Sequence, residues 1–167
     1  MIAAMALVVA SFAPACYPPP VAAPIAVPYA QPACSFCPGH RGVEYQLAAN
    51  TSVRAVSAGT VTFSGVVAGT RYLVVLQPDG MRATYGMLAA ATPSKGDAVL
   101  AGQVVGLSST RLYFGFRDAS NAPIDPTAML GRLVGRPRLV PLDGVRARAG
   151  RVPRLVCPAG VSGWLAV

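Results

Sequence analysis

Glycine and proline residues divide the middle of the chain into short segments, with one break every eight to ten residues or so. Within residues 53–85, apolar and β-branched side chains alternate with small polar ones, and glycines fall where turns are required, at Gly59, Gly65 and Gly69. This pattern leaves no room for a long amphipathic helix and is typical of short antiparallel strands. We therefore expect an all-β fold, either an antiparallel β-sandwich or a partly open barrel of short strands.

The clearest turn signal is the segment 77–81, Gln-Pro-Asp-Gly-Met, which predicts a β-hairpin. A second group of strand segments follows at 95–99 and 104–106. The run of small and polar residues at 106–110 is interpreted as a short loop, and residues 112–116, Leu-Tyr-Phe-Gly-Phe, as the strand that comes after it.

The length and composition fit one soluble domain. The chain has 167 residues, of which 53% are hydrophobic and 12% are charged, and no stretch after the N-terminus is apolar for long enough to span a bilayer. The net charge of +8 is carried almost entirely by arginine, since Lys95 is the only lysine. Anionic partners are therefore plausible, although net charge says nothing about the fold.

The N-terminus is typical of export. Residues 1–15 form an apolar run that ends in small residues, as in a secretory signal, but a positively charged start is missing. The missing charge leaves a start placed too late, an atypical signal or a short membrane anchor open. Cys16 follows directly, so a signal could be removed by plain cleavage, or Cys16 could be acylated as in a lipoprotein. Either fate predicts a protein of the cell envelope or the extracellular space.

A proline-rich segment follows the signal-like residues. Residues 14–38 contain eight prolines and no charged residue, which predicts a semi-extended polyproline spacer over 16–38; a disordered tail is the alternative. The β domain is then expected at 39–131, and an arginine-rich extension at 132–167.

Three cysteines remain beyond Cys16, namely Cys34, Cys37 and Cys157. Because exported proteins meet an oxidising compartment, a disulfide between Cys157 and either Cys34 or Cys37 is the first expectation, with one thiol left over. Two alternatives stay open: a metal site formed by the Cys-x-x-Cys pair with His40, and a redox-active Cys-x-x-Cys pair.

Several spaced motifs carry a resemblance to a known family. They are Val53-x-Ala55-x-x-x-Gly59-x-Val61-x-x-x-Gly65, then Gly96-Asp97-x-Val99-x-x-Gly102-Gln103-x-Val105-Gly106, then Asp125-Pro126. In this order and spacing, over about residues 40–130, the chain resembles the lysostaphin/LytM-type zinc metallopeptidases. The resemblance implies a LytM-like β domain and peptidoglycan as the polymer on which the family acts.

The resemblance also implies where the zinc ligands would lie. The family holds zinc with the His and Asp of an early motif and the second His of a late His-x-His strand. Here His40 begins the early motif, Glu44 stands where Asp is expected, and Tyr113 stands in place of the late ligand. Two further histidines assist the reaction in the family, and their positions hold Arg111 and Met87.

These replacements remove the chemistry of zinc hydrolysis. A catalytic zinc needs three imidazole or carboxylate ligands and an open position for water. A neutral phenol is a poor ligand, a guanidinium repels a cation and cannot accept a proton, and a thioether has no acid–base chemistry. We therefore expect a non-catalytic protein without a cofactor; the alternative is an active zinc endopeptidase that cleaves peptidoglycan cross-links.

The C-terminal extension holds seven arginines and one acid. Its prolines argue against a continuous amphipathic helix, so the arginines could contact anionic envelope polymers from extended structure. Nucleic acid is not expected as a partner, because the protein is predicted to be exported. The leading hypothesis is an exported module that binds peptidoglycan or regulates a cell-wall hydrolase. The resemblance suggests the second role, since the family has degenerate members that activate wall amidases.

Overall fold

The computed structural model describes residues 16–34, 36–135 and 153–158, and these residues form a β fold built on one large antiparallel sheet. Its strands are β1 (Ile25–Val27), β2 (Val43–Gln46), β3 (Ser52–Arg54), β4 (Gly59–Val67), β5 (Thr70–Leu76), β6 (Arg82–Ala91), β7 (Ala98–Val99), β8 (Val104–Arg117) and β9 (Pro123–Ile124). The order across the sheet is β1-β2-β8-β6-β5-β4-β7, with β3 and β9 also paired to β8. A small second sheet pairs β10 (Arg132–Val134) with β11 (Arg154–Val156).

The expected all-β class is confirmed. Within the described ranges, the helical structure is a single 3-10 turn at Pro126–Ala128, which Asp125 caps by accepting the Thr127 N–H at 2.9 Å. The hairpin at 77–81 is also confirmed, because the Gln77 N–H donates to the Met81 carbonyl at 2.8 Å. Gly80 adopts φ +85° there, a conformation that glycine reaches without steric cost. In the part of the chain described, no helix is long and apolar enough to cross a membrane.

One face of the large sheet carries the hydrophobic core. Because side chains alternate along a strand, every second residue of the central strands points inward. The fully or almost fully buried side chains include Val43, Tyr45, Leu73, Val75, Tyr85, Leu112, Phe114 and Phe116. The intervening residues, such as Glu44 and Tyr113, therefore lie on the opposite face, which we call the open face.

The predicted loop at 106–110 is wrong, because β8 is one continuous strand from Val104 to Arg117. Leu107 pairs with Ser52 of β3 and with Ala90 of β6, so this stretch is held by neighbours on both sides. Ser108 is fully buried. Small polar residues resemble a loop locally, but paired strands on both sides satisfy their backbone groups as well as turns would.

The described residues 16–34 do not form the extended spacer that their prolines predict. Tyr17 and Val21 are buried in the core, and β1 adds an edge strand to β2. The Pro20 carbonyl accepts a hydrogen bond from the Arg54 N–H at 2.9 Å. Prolines are compatible with this arrangement because an edge strand needs ladder hydrogen bonds on one side only.

The cysteine pairing also differs from the expectation. Cys16 bonds to Cys157, with a Cα–Cα distance of 5.8 Å, and Cys34 bonds to Cys37. No thiol is left over among the four cysteines, so the Cys-x-x-Cys pair offers no thiolates for a metal. The Cys16 sulfur is used in a disulfide, which excludes its acylation in this structure. The expectation leaves Cys16 out of the pairing because signal cleavage or acylation is the fate considered for it, whereas its sulfur completes the second disulfide.

Two disulfides are typical of proteins that fold in an oxidising compartment, which favours export. The signal-like residues 1–15 lie outside the described residues. The same holds for most of the arginine-rich extension, of which residues 132–135 and 153–158 are described.

Candidate functional site

His40 lies three residues before the start of β2 and is fixed by its backbone and its ring. Its backbone forms a two-way bridge with Ala30, with both N–H···O distances at 2.9 Å. The ring Nδ1 lies 2.9 Å from the Pro28 carbonyl, and Nε2 lies 3.1 Å from Glu44 Oε1. Both ring nitrogens therefore face oxygen acceptors of the same chain.

Glu44 is the buried centre of this cluster, with 8% of its surface exposed. In β2 it pairs with Tyr113 of β8, and Gln46 pairs with Arg111, so the four residues share the open face. One carboxylate oxygen contacts His40, and the other accepts a hydrogen bond from the Arg111 guanidinium. Both oxygens of Glu44 are thus occupied by side chains of the protein itself.

Tyr113 contributes a hydrogen-bond donor to the cluster. Its hydroxyl donates to the Arg41 carbonyl at 3.0 Å, and its ring meets the His40 ring edge-on at a centroid distance of 5.8 Å. Burial raises the pKa of Tyr113, although the nearby charges of Arg117 and Arg41 act in the opposite direction. The phenol is therefore neutral near pH 7 and holds its proton toward a carbonyl.

Three glycines make room for the Tyr113 ring. A Cβ added at Gly42 would lie 2.7 Å from the ring, one at Gly86 would lie 3.2 Å from it, and one at Gly115 would lie 2.8 Å from the hydroxyl. Gly42 precedes β2, Gly86 lies on β6 and Gly115 lies on β8 itself, so a larger residue at any of them would push the ring out of place. The sequence analysis missed this role, and the Gly-aromatic spacing of β6 and β8 is the signal that could have found it.

Met87 lies at a bulge in β6, between Gly86, which pairs with Tyr113, and Leu88, which pairs with Ser108. Its φ of +60° is in the left-handed region, which is uncommon for a non-glycine residue and costs about 1–2 kcal/mol. Bulges and strained residues often occur beside functional sites. Met87 therefore lies next to the cluster, because the preceding residue, Gly86, pairs with Tyr113. Its half-buried side chain adds no polar group.

A shallow apolar groove lies farther along the same face. It has a volume of about 410 Å³ and is lined by Phe63, Val67, Ala68, Thr70, Tyr72, Val74 and Thr84. Tyr72 pairs with Gly86, and the Tyr113 ring packs over the same glycine, so the groove and the cluster adjoin.

The residues at the zinc positions do not fit a zinc site. Glu44 is paired with a permanent cation, Arg111, and Tyr113 points its proton at a carbonyl. A divalent ion would have to displace the guanidinium and compete with its charge. Among the described residues, no group of three or more His, Cys, Asp or Glu side chains could hold a metal. The structure brings His40, Glu44 and Tyr113 together as predicted, but as partners of each other and of Arg111.

A family model decides the assignment, because the model of peptidase family M23 matches residues 38–126. The chain belongs to peptidase family M23. Its lysostaphin-like core therefore confirms the resemblance that the glycine motifs indicated. No curated protein sequence matched the chain.

Solved structures agree with the M23 fold. Csd3 of Helicobacter pylori aligns with a TM-score of 0.61 at 25% identity, over 69% of this chain and 34% of that chain. The catalytic domain of lysostaphin from Staphylococcus simulans aligns with a TM-score of 0.53 at 24% identity, over 62% and 89% of the two chains. SpoIIQ in its pore-forming complex with SpoIIIAH aligns with a TM-score of 0.59 at 16% identity, over 69% and 90%. This M23 chain thus spans about a third of the Csd3 chain.

Proposed function

We propose that this M23 protein is exported to the cell envelope and binds peptidoglycan without hydrolysing it. The observation that carries the proposal is the ion pair between Arg111 and Glu44 at the position where family members hold zinc. A guanidinium there neutralises the carboxylate and cannot activate water. Loss of hydrolysis leaves the open face and its adjoining groove available for binding.

Family membership supports peptidoglycan as the ligand, and the disulfides support export. Regulation of a cell-wall hydrolase is a second candidate, favoured by the likeness to SpoIIQ, which was solved in complex with another protein. In that case the open face would contact the partner protein. We also propose that the arginine-rich extension, of which residues 132–135 and 153–158 are described, binds anionic envelope polymers.

The test combines metal content, hydrolysis and binding. Purified protein is incubated with zinc, dialysed and analysed for metal, then mixed with isolated sacculi to measure both co-sedimentation and released fragments. We expect co-sedimentation, no stoichiometric zinc and no released fragments. About one zinc per chain together with chelator-sensitive release would instead support the active endopeptidase and overturn the proposal.

A variant that rebuilds the family's site controls for assay sensitivity. It carries Glu44→Asp, Met87→His, Arg111→His and Tyr113→His, which restores carboxylate and imidazole groups at all four positions. We expect this variant to bind zinc more tightly than the parent protein, and a His40→Ala change added to it should remove that gain. If the parent protein binds zinc as tightly as the rebuilt variant, Arg111 does not block the site and the proposal fails.

A further inference from the structure

A polar cavity of about 620 Å³ lies at the end of β8, outside the Glu44 cluster. One wall is formed by residues 31–34 and the other by residues 120–123, which include the start of β9. Arg41 and Arg117 both line it, and none of its described lining residues is acidic. Two guanidinium groups without a carboxylate among the described lining residues favour an anionic ligand.

Arg117 is the better placed of the two arginines for binding. Its Nη1 donates to the Asn121 carbonyl at 2.8 Å, which uses one of five guanidinium N–H groups and anchors the side chain at the cavity. Within the described ranges Arg117 forms no ion pair. Arg82 stands directly opposite it across β6 and β8, and like charges in such a pair are destabilising. An anion bound at Arg117 would relieve this repulsion.

The nearest acid along the chain does not neutralise the cavity. Asp118 Oδ1 accepts hydrogen bonds from the Ser120 hydroxyl at 2.7 Å and the Ala122 N–H at 2.8 Å, so this oxygen serves the turn. The Ser120 hydrogen bond holds the pKa of Asp118 below its usual value, and the residue is partly exposed to solvent. Solvent therefore screens its charge from the guanidinium groups.

Arg41 connects the cavity to the cluster of His40, Glu44, Arg111 and Tyr113. The Arg41 carbonyl accepts the Tyr113 hydroxyl, while the Arg41 guanidinium donates to the Cys37 carbonyl at 3.4 Å and lines the cavity. Arg41 thus contributes its guanidinium to the cavity and its carbonyl to the cluster around Tyr113.

We propose that this cavity binds the carboxylate of a peptide, with Arg117 as the main contact and Arg41 as the second. The inference rests on the proposed function, because the peptides of peptidoglycan would supply the carboxylate. Inorganic phosphate would fill a small part of 620 Å³, whereas a peptide end of several residues matches that volume. The carboxamides of Gln31 and Asn121 in the walls can both donate to and accept from peptide groups.

The experiment compares tetra-alanine carrying a free C-terminal carboxylate with the same peptide as a C-terminal amide, by NMR titration of the full chain. We expect the free carboxylate to bind about tenfold more tightly, and Arg117→Gln to remove that difference. Arg117→Lys keeps the charge but loses the fork geometry, so it should retain part of the preference. Arg54→Gln is the matched control, since Arg54 is exposed on β3 and bonds the Gly102 carbonyl; it should change affinity by less than about twofold.

Thermal unfolding establishes that each variant is folded before its affinity is interpreted. Equal binding of acid and amide, an unchanged preference in Arg117→Gln, or tighter binding of inorganic phosphate than of the peptide acid would each overturn the inference. Sacculus binding without any carboxylate preference would refute the cavity and leave the proposed function standing. A carboxylate preference without sacculus binding would support the cavity and refute the proposed function.

Discussion

The two faces of the central sheet differ in what their residues do, although they alternate along the same strands. On the inner face of β8, Phe114 is fully buried and packs against Tyr85 at 5.2 Å and Phe116 at 4.9 Å between ring centroids. One residue away, Tyr113 lies on the open face with Arg111 and Glu44. The M23 core and the M23 site are therefore separable, because side-chain alternation lets one face change while the other keeps its packing.

The largest effect is expected from the removal of a core aromatic ring on the inner face. Phe114→Ala deletes a fully buried ring and leaves a cavity, so we expect a loss of about 3–5 kcal/mol in the free energy of unfolding. Urea denaturation followed by fluorescence or circular dichroism measures it. Phe114→Leu keeps most of the volume and should lose less. A loss under about 1 kcal/mol for the alanine variant would mean that the inner face is not the stabilising one.

The second prediction concerns alkaline pH, which should act through the inner face. Burial raises the pKa of Tyr17 to about 12, and the charge of Asp79 and the hydrogen bond to it act in the same direction. Burial also raises the pKa values of Tyr45 and Tyr85. Since these folded-state pKa values exceed the unfolded value of 10, the folded state retains protons that the unfolded state releases. The stability that they contribute is complete below pH 10 and is lost as the pH rises through the folded-state values.

The measurement is the urea midpoint between pH 8 and pH 12. We expect a flat profile up to about pH 9 and then a steady fall. Tyr17→Phe removes one of the titrating groups and should make the fall shallower, after correction for its own effect at pH 8. A rise in stability above pH 10 would contradict burial of these phenols on the inner face.

The third and smallest effect is expected on the open face. Glu44→Gln removes the charge that pairs with Arg111, but the Arg111 side chain is 48% exposed and water can solvate it. We therefore expect a loss of about 1–2 kcal/mol, below the cost of breaking a fully buried pair. A double-mutant cycle with Arg111→Gln isolates the pairwise interaction energy. A coupling near zero would mean that the ion pair does not hold the cluster together.

The two disulfides differ in whether local sequence could predict them. Cys34 and Cys37 are three positions apart, so their pairing is a local possibility that the sequence analysis weighed as a redox pair. Cys16 and Cys157 are 141 positions apart, and only the docking of residues 16–34 brings them together. The Tyr17 N–H donates to the Met129 carbonyl at 2.9 Å, and the Gly131 N–H donates to the Tyr17 carbonyl at 2.8 Å, which places Cys16 beside the end of the domain.

The all-β class, the hairpin at 77–81 and the unsuitable side chains at the zinc positions can be predicted from the sequence alone. Each of these follows from local alternation, turn residues or side-chain identity, which do not depend on distant contacts. Tertiary structure alone decided that β8 runs unbroken, that the proline-rich segment packs on the core, and that Arg111 binds the carboxylate of Glu44. These features depend on which strands become neighbours, and the register that brings Gln46 opposite Arg111 is set by burial of the inner face as a whole.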